Sequence, residues 1–132
     1  MPIIPSLILK KVYIRGSLRA THNGFAFSLR NVLGPVTLVA LRSLRVDGEE
    51  IAPARVTLHL DDGHTVRASD ISARSPLSFP LNTRVEIEVE GSRLNPGSHH
   101  LVAGVEVSQV GQVEIAIEDH LLESGSASKQ HG

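Results

Sequence analysis

The chain has no cysteine and no tryptophan, and its aromatic residues are one tyrosine and three phenylalanines. The absence of cysteine excludes disulfides, thiolate nucleophiles and cysteine-type zinc sites. Free-standing sugar-binding domains usually stack pyranose rings on exposed tryptophan or tyrosine, which this chain almost lacks. If the chain contributes to a carbohydrate pocket, we therefore expect another subunit to supply most of that pocket.

Long apolar runs and an excess of one charge are also missing. No segment reaches the ~20 apolar residues that a membrane-spanning helix requires. The formal net charge is −1 at pH 7, and the mixed charges form no basic stripe for a nucleic acid backbone. Residues 2–9 lack the basic leader and the cleavage site of a signal peptide. The sequence thus predicts a cytoplasmic protein that binds neither nucleic acid nor membrane.

The main pattern in the chain is a period of two, in which apolar and polar residues alternate. Residues 85–90 place three aliphatic side chains on one face and three glutamates on the other, as a half-buried strand does. Residues 24–30 alternate in the same way. With turn signals at short intervals, the pattern predicts an all-β fold, a single antiparallel β-sandwich of residues 21–122. We expect residues 1–20 to form an N-terminal extension or edge strand and residues 123–132 a disordered tail.

Three turns predict how the strands pair. The VDGE sequence of residues 46–49 is typical of a two-residue type I′ turn that pairs its two outer residues. Residues 61–63 predict a three-residue loop with the glycine in the left-handed region, because a two-residue loop would place Leu58 and Val66 on opposite faces. The third turn, in residues 94–99, predicts a hairpin between the strands on either side of it.

Histidines are the only residues that offer catalytic or metal-binding chemistry in this sequence. His59 and His64 flank a loop that contains Asp61 and Asp62, which superficially suggests a metal site. In the expected register the two imidazoles lie on opposite faces, so a solvated hairpin end is favoured over an independent metalloenzyme. A histidine that stabilises its turn is likewise favoured over a catalytic one at His99. The sequence assigns no catalytic and no metal-ligating residue.

Three blocks of the sequence, residues 24–31, 44–51 and 94–99, resemble the small β subunit of bacterial C-glycoside deglycosidases, and the resemblance extends over residues 20–122. It implies a heteromer with a larger TIM-barrel-like α subunit. That partner would hold a divalent metal, Mn²⁺, and the acid/base residues, and this chain would hold no cofactor. The implied reaction, on a 3-oxo-C-glucoside at the shared site, is cleavage of the carbon–carbon bond to an aromatic aglycone such as a flavonoid by β-elimination.

Under this resemblance the chain is an accessory lyase subunit that is inactive alone. The candidates for the partner interface or the pocket rim are Phe25, Phe27, Arg30, Pro96 and His99, which combine apolar and hydrogen-bonding groups. The alternative is a non-enzymatic β-sandwich that mediates protein interactions.

Overall fold

Two antiparallel sheets form the protein, and the computed structural model describes residues 10–122. The strands are β1 (Arg19–Ala20), β2 (Gly24–Arg30), β3 (Val36–Val46), β4 (Glu49–Glu50), β5 (Val56–Leu60), β6 (Thr65–Arg67), β7 (Leu77–Phe79), β8 (Arg84–Glu90), β9 (Gly97–Val107) and β10 (Gly111–Leu121). Two short 3₁₀ turns, Pro53–Arg55 and Ala68–Asp70, connect strands of the sandwich. This architecture confirms the predicted all-β antiparallel fold. Within residues 10–122, no helix has the length and apolar character that crossing a membrane takes.

The first sheet has the strand order β1-β2-β8-β5-β6, and the second has the order β10-β9-β3-β4, with β7 also paired to β3. In β8 the aliphatic side chains are buried and the glutamates are half-buried, so the predicted alternation is confirmed. The two sheets bury their apolar faces against each other in a single core.

Both short turns adopt the predicted geometry. Val46 pairs with Glu49, and Asp47 and Gly48 have φ angles of 52° and 86°, as a type I′ turn requires. Around the second loop, Leu58 pairs with Val66, and the loop glycine has a φ of 93°. Local chemistry is enough to define these two hairpins.

The predicted hairpin across residues 94–99 is wrong. Strand β8 pairs with β2 and β5 in the first sheet, whereas β9 pairs with β3 and β10 in the second. The segment between them crosses from one sheet to the other. Alternation defines which face of a strand is buried but not which neighbour supplies its hydrogen bonds, so it could not decide between a hairpin and a crossover.

Residues 12–20 run along β2. The Arg30 N–H donates to the Val12 carbonyl at 2.7 Å, Tyr13 bridges antiparallel to Leu29, and β1 pairs with β2 further along. Residues 1–9, which belong to the predicted N-terminal extension, and residues 123–132, the predicted disordered tail, lie outside the described residues. The predicted domain boundaries stay predictions.

Candidate functional site

A cleft of about 510 Å³ opens between the two sheets at one end of the sandwich. We call this the open end; β2 finishes there at Arg30, and β3 pairs with β9 there through Leu38 and Val107. The opposite end, near Gly24 and Val46, is the closed end. The walls of the cleft are inward-facing aliphatic and phenylalanine side chains from both sheets. Its volume and apolar character are those of a small-molecule pocket.

Several side chains that face inward at the open end retain solvent exposure. Leu29, Leu41, Val105 and Val113 all line the cleft and are only half-buried, although they are aliphatic residues on the inner faces of the strands. A packed core would enclose such residues. The sheets therefore leave the interior of the sandwich accessible at this end.

The mouth of the cleft is formed by a fixed loop, residues 31–35. The Asn31 side-chain amide donates to the carbonyls of Gly34 at 2.7 Å and Phe79 at 2.9 Å, and its oxygen accepts from the Leu33 N–H at 3.0 Å. These bonds hold Val32 and Leu33 at the mouth, each with 38% of its surface exposed. Because the loop is anchored by its own hydrogen bonds, the apolar mouth is preformed.

Two arginines end neighbouring strands at the mouth. Arg30 lines the cleft, and its Cα lies opposite that of Arg84 in the β2–β8 register. Both residues are exposed, and no ion pair of either guanidinium occurs within residues 10–122. Gln109 also lines the cleft, but its side-chain oxygen already accepts from the Thr37 N–H at 2.9 Å. The mouth thus places positive charge beside an apolar interior.

Of the five residues predicted at a partner interface or pocket rim, three lie on β2. Phe25 and Phe27 are both 0% exposed, with ring centroids 6.4 Å apart and an interplanar angle of 17°. Phe27 lines the cleft, whereas Phe25 packs in the core away from it, and Arg30 is at the mouth. Strand β2 itself lies between β1 and β8 rather than at a sheet edge. A partner contact through these residues stays a prediction.

The other two predicted residues, Pro96 and His99, lie at the closed end, so the structure does not bring the five together. His99 Nε2 donates to the Asn95 carbonyl at 2.6 Å, and Nδ1 faces the Asp47 carboxylate at 2.6 Å. Partial burial lowers the pKa of His99, but these two hydrogen bonds together raise it above its ordinary value. The imidazole therefore links the Asn95 carbonyl to the Asp47 carboxylate, and a role in stabilising this turn stays a prediction.

The two histidines beside the second loop have different surroundings. His59 Nε2 lies 2.8 Å from a Glu88 carboxylate oxygen, and Nδ1 lies 3.3 Å from the Thr65 hydroxyl, while His64 is exposed at the loop. Across residues 10–122, no group of three or more histidine, aspartate or glutamate side chains is placed to hold a metal ion.

Sequence reasoning missed the residues that make the cleft accessible, above all Val32, Leu33 and Val110. One signal could have found the first two. Val32 and Leu33 are adjacent large aliphatic residues in a short connection directly before Gly34 and Pro35, where polar turn residues are usual. Adjacent exposed apolar residues in a turn indicate a binding surface.

The chain matches one protein family, described as hydroxymethylglutaryl-CoA reductase, N-terminal domain, over residues 8–122. No curated protein matches it. The family match spans every residue that the structure describes, so it includes both sheets and the cleft between them.

This match corrects the resemblance to C-glycoside deglycosidases. The three blocks that carried the resemblance are an alternating strand, a type I′ turn and a proline–glycine turn, which unrelated sandwiches share for the same physical reasons. The accessory-subunit function, the carbon–carbon lyase activity and the flavonoid substrate are therefore wrong, and the interaction-module alternative gains no support. The partner subunit and its manganese, which no observation on this chain tests, stay predictions. The chain belongs to the hydroxymethylglutaryl-CoA reductase, N-terminal domain family.

Proposed function

We propose that this chain is the ligand-binding domain of a hydroxymethylglutaryl-CoA reductase-related protein, and that it holds an aliphatic ligand with an anionic head in the cleft. The observation that carries the proposal is the preformed apolar cavity of about 510 Å³ between the sheets. Burial of an aliphatic chain against such walls is favourable by about 25 cal/mol per Å² of apolar surface. The family match supports the reductase context.

The charge at the mouth supports an anionic head. Arg30 and Arg84 are neighbours at the end of the first sheet, and Arg30 lines the cleft. A ligand whose aliphatic chain enters between the sheets would leave its head beside Arg30. An arginine suits a carboxylate or phosphate there, because its planar guanidinium donates two parallel hydrogen bonds.

A cytoplasmic location remains part of the proposal. Fractionation of the native host, followed by detection of the chain with an antibody, tests it. Recovery in a membrane or secreted fraction would contradict this part alone.

Filling the cleft tests the binding proposal most simply. Decanoate is titrated into the full chain and into two variants that place a tryptophan at adjacent positions of β10. Val113→Trp adds a large ring to the cleft wall, whereas Gln112 is exposed and does not line the cleft. We expect Val113→Trp to weaken decanoate binding about tenfold or more, and Gln112→Trp to leave it within about twofold. The binding proposal fails if the parent chain does not bind decanoate or if the two variants bind it equally.

A second titration separates the head from the chain of the ligand. Arg30→Gln should weaken decanoate about two- to fivefold, since an exposed ion pair contributes up to about 1 kcal/mol, and should leave decanol unaffected. Arg74→Gln, at an exposed arginine that does not line the cleft, is the control. Equal losses for decanoate and decanol would show that Arg30 does not recognise the head.

Hydroxymethylglutaryl-CoA is the informative competitor. Its acyl part carries a hydroxyl and a carboxylate, which are costly to bury against an apolar wall without hydrogen-bond partners. We therefore expect it not to displace decanoate at equal concentration. Displacement would assign the cleft to the substrate named by the family instead of to an aliphatic ligand.

A further inference from the structure

Rows of inward-facing side chains run across each sheet and show how deep the cleft is. In the second sheet the rows that line it are, from the open end, Leu38 with Val107, then Leu41 with Val105 and Val113, then Leu44 with Ala103 and Ile115. The next row, Val46 with Leu101 and Ile117, does not line the cleft. The row of Ala103 is therefore the deepest wall that this sheet gives to the cleft.

The first sheet ends the cleft in a similar way. Its last complete row along the walls is Phe27 with Ile87 and Leu58. In the following row, Phe25 and Val89 have no exposed surface and do not line the cleft, and only Val56 reaches it. Buried side chains of both sheets thus form a floor behind the row of Ala103.

Ala103 is the smallest side chain on the walls of the cleft. It lies between Leu44 and Ile115 in the last row before the floor. From Val107 at the open end to Ala103, strand β9 rises about 13 Å, at about 3.3 Å per residue. The wall position with the least side-chain volume therefore lies at the far end of an apolar passage, where the end of a bound chain would need room.

The depth of this passage suits an aliphatic chain of medium length. With carbon–carbon bonds of about 1.5 Å and bond angles of about 111°, an extended decanoate spans about 11 Å and an extended tetradecanoate about 16 Å. We infer that Ala103 determines ligand specificity, because it leaves room for the end of the chain, and that the cleft selects aliphatic acids of up to about ten carbons. The inference rests on the proposed function, since it concerns which ligands that site selects.

A series of acids tests the length limit in the parent chain. Hexanoate, decanoate and tetradecanoate are titrated separately into the full chain. We expect decanoate to bind about tenfold or more tightly than hexanoate, because its additional methylenes are buried against the walls. Tetradecanoate should bind within about twofold of decanoate, because the floor leaves its last methylenes no further apolar surface to enter. A further gain of about tenfold for tetradecanoate would overturn the limit, since an open apolar surface gives such a continued gain.

Filling the deep end tests the role of Ala103. Ala103→Leu should weaken decanoate binding about tenfold or more. It should leave hexanoate within about twofold, because an extended hexanoate spans only about 6 Å and ends before the row of Ala103. Ala116→Leu is the matched control, since Ala116 is exposed on β10 and does not line the cleft. Ala103→Val, which adds fewer atoms to the core, should weaken decanoate about threefold and keeps the test valid if the leucine prevents folding.

The outcomes separate this inference from the binding function. If the parent binds decanoate but Ala103→Leu and Ala103→Val change nothing, or weaken both acids equally, the specificity of Ala103 is refuted and the binding function stands. If the parent binds none of the three acids, the binding function fails and the length limit fails with it.

Discussion

The two ends of the sandwich have the same alternation of residues but differ in how they are packed. At the closed end, Phe25, Val89 and Leu101 have no exposed surface. At the open end, Leu41 and Val105 face inward on the same sheets and remain half-buried. The comparison shows that a period of two decides which side chains face the other sheet. Close approach of the two sheets decides which of these inward-facing side chains are excluded from solvent.

Two contacts hold the strands together at the closed end. The Asp47 N–H donates to the His100 carbonyl at 2.7 Å, and its carboxylate accepts from the His100 N–H at 2.8 Å. Gly24 lies so close to β8 that an added Cβ would be 2.0 Å from the Val89 carbonyl oxygen. The open end has the anchored loop of residues 31–35 instead, which displays apolar residues rather than inserting them.

The largest expected effect is at Gly24. Gly24→Ala would force β2 and β8 apart, because the contacted atom is backbone and cannot rotate away. We expect a loss of about 3 kcal/mol or more in the free energy of unfolding, measured by urea denaturation. Arg30→Ala, at the open end of the same strand, should change it by about 0.5 kcal/mol or less. Equal losses would remove the distinction between the two ends.

The next largest expected effect comes from replacing a leucine by alanine at each of the two ends. Leu101→Ala removes a fully buried side chain and should cost about 3 kcal/mol, with the cavity it leaves included. Leu41→Ala, on a wall that is already partly exposed, should cost about 1 kcal/mol. Urea denaturation of both variants measures the difference. A cost for Leu41→Ala as large as that for Leu101→Ala would mean that the open end is packed as tightly as the closed end.

The hydrogen bond between Tyr13, which runs beside the first sheet, and Asp119 of the second sheet can be followed by the absorbance of the tyrosine. Burial, and then the hydrogen bond that Tyr13 donates to Asp119, raise the pKa of Tyr13 from 10.0 to about 12. The folded state therefore gains stability from neutral Tyr13 below pH 10, and this gain is lost as the pH rises through about 12. Because Tyr13 is the only tyrosine, near-ultraviolet absorbance follows it alone. Asp119→Asn should lower its pKa towards 10.0. Titration of the folded parent chain at 10.0 would contradict the contact.

The smallest expected effect on stability is at the closed-end turn. The Asp47 side chain is 47% exposed there, so solvent weakens its interactions. The His100 N–H and then His99 lower the pKa of Asp47, while the bonds from His99 to Asn95 and Asp47 overcome partial burial and raise the pKa of His99. The His99 contribution to stability is thus present below pH 6.5 and is lost as the pH rises through its raised pKa. The Asp47 contribution is present above pH 3.8 and is lost as the pH falls through its lowered pKa.

Asp47→Asn should therefore lower the pKa of His99, which nuclear magnetic resonance titration of the imidazole measures. An unchanged pKa of His99 would show that the carboxylate does not act on it.

Sequence predicted the parts of this fold that depend on neighbouring residues. The turn at Asp47 and Gly48 needs two positive φ angles in a row, and the sequence supplies an aspartate and a glycine there. The alternation of buried and half-buried side chains along β8 is equally local. The pairing partners of β8 are not local, because the choice between a hairpin and a crossover depends on residues of β2 and β3 that are distant along the chain.

The candidate site could be predicted only in part for the same reason. Arg30 and Phe27, which the sequence predicts at one site, lie at the cleft. Pro96 and His99, predicted at the same site, lie at the other end of the sandwich. Val113 follows the same alternation as Ile115, yet only Ile115 is buried. That difference comes from how close the opposite sheet lies, and no local pattern records it.

The central claim, that the open end binds an aliphatic ligand while the closed end is a sealed core, is tested most directly by methyl resonances in a decanoate titration. The account predicts saturable shifts for the methyl groups of Val105 and Val113 and none for those of Val89 and Leu101. No shift at Val105 and Val113, or equal shifts at all four residues, would contradict it.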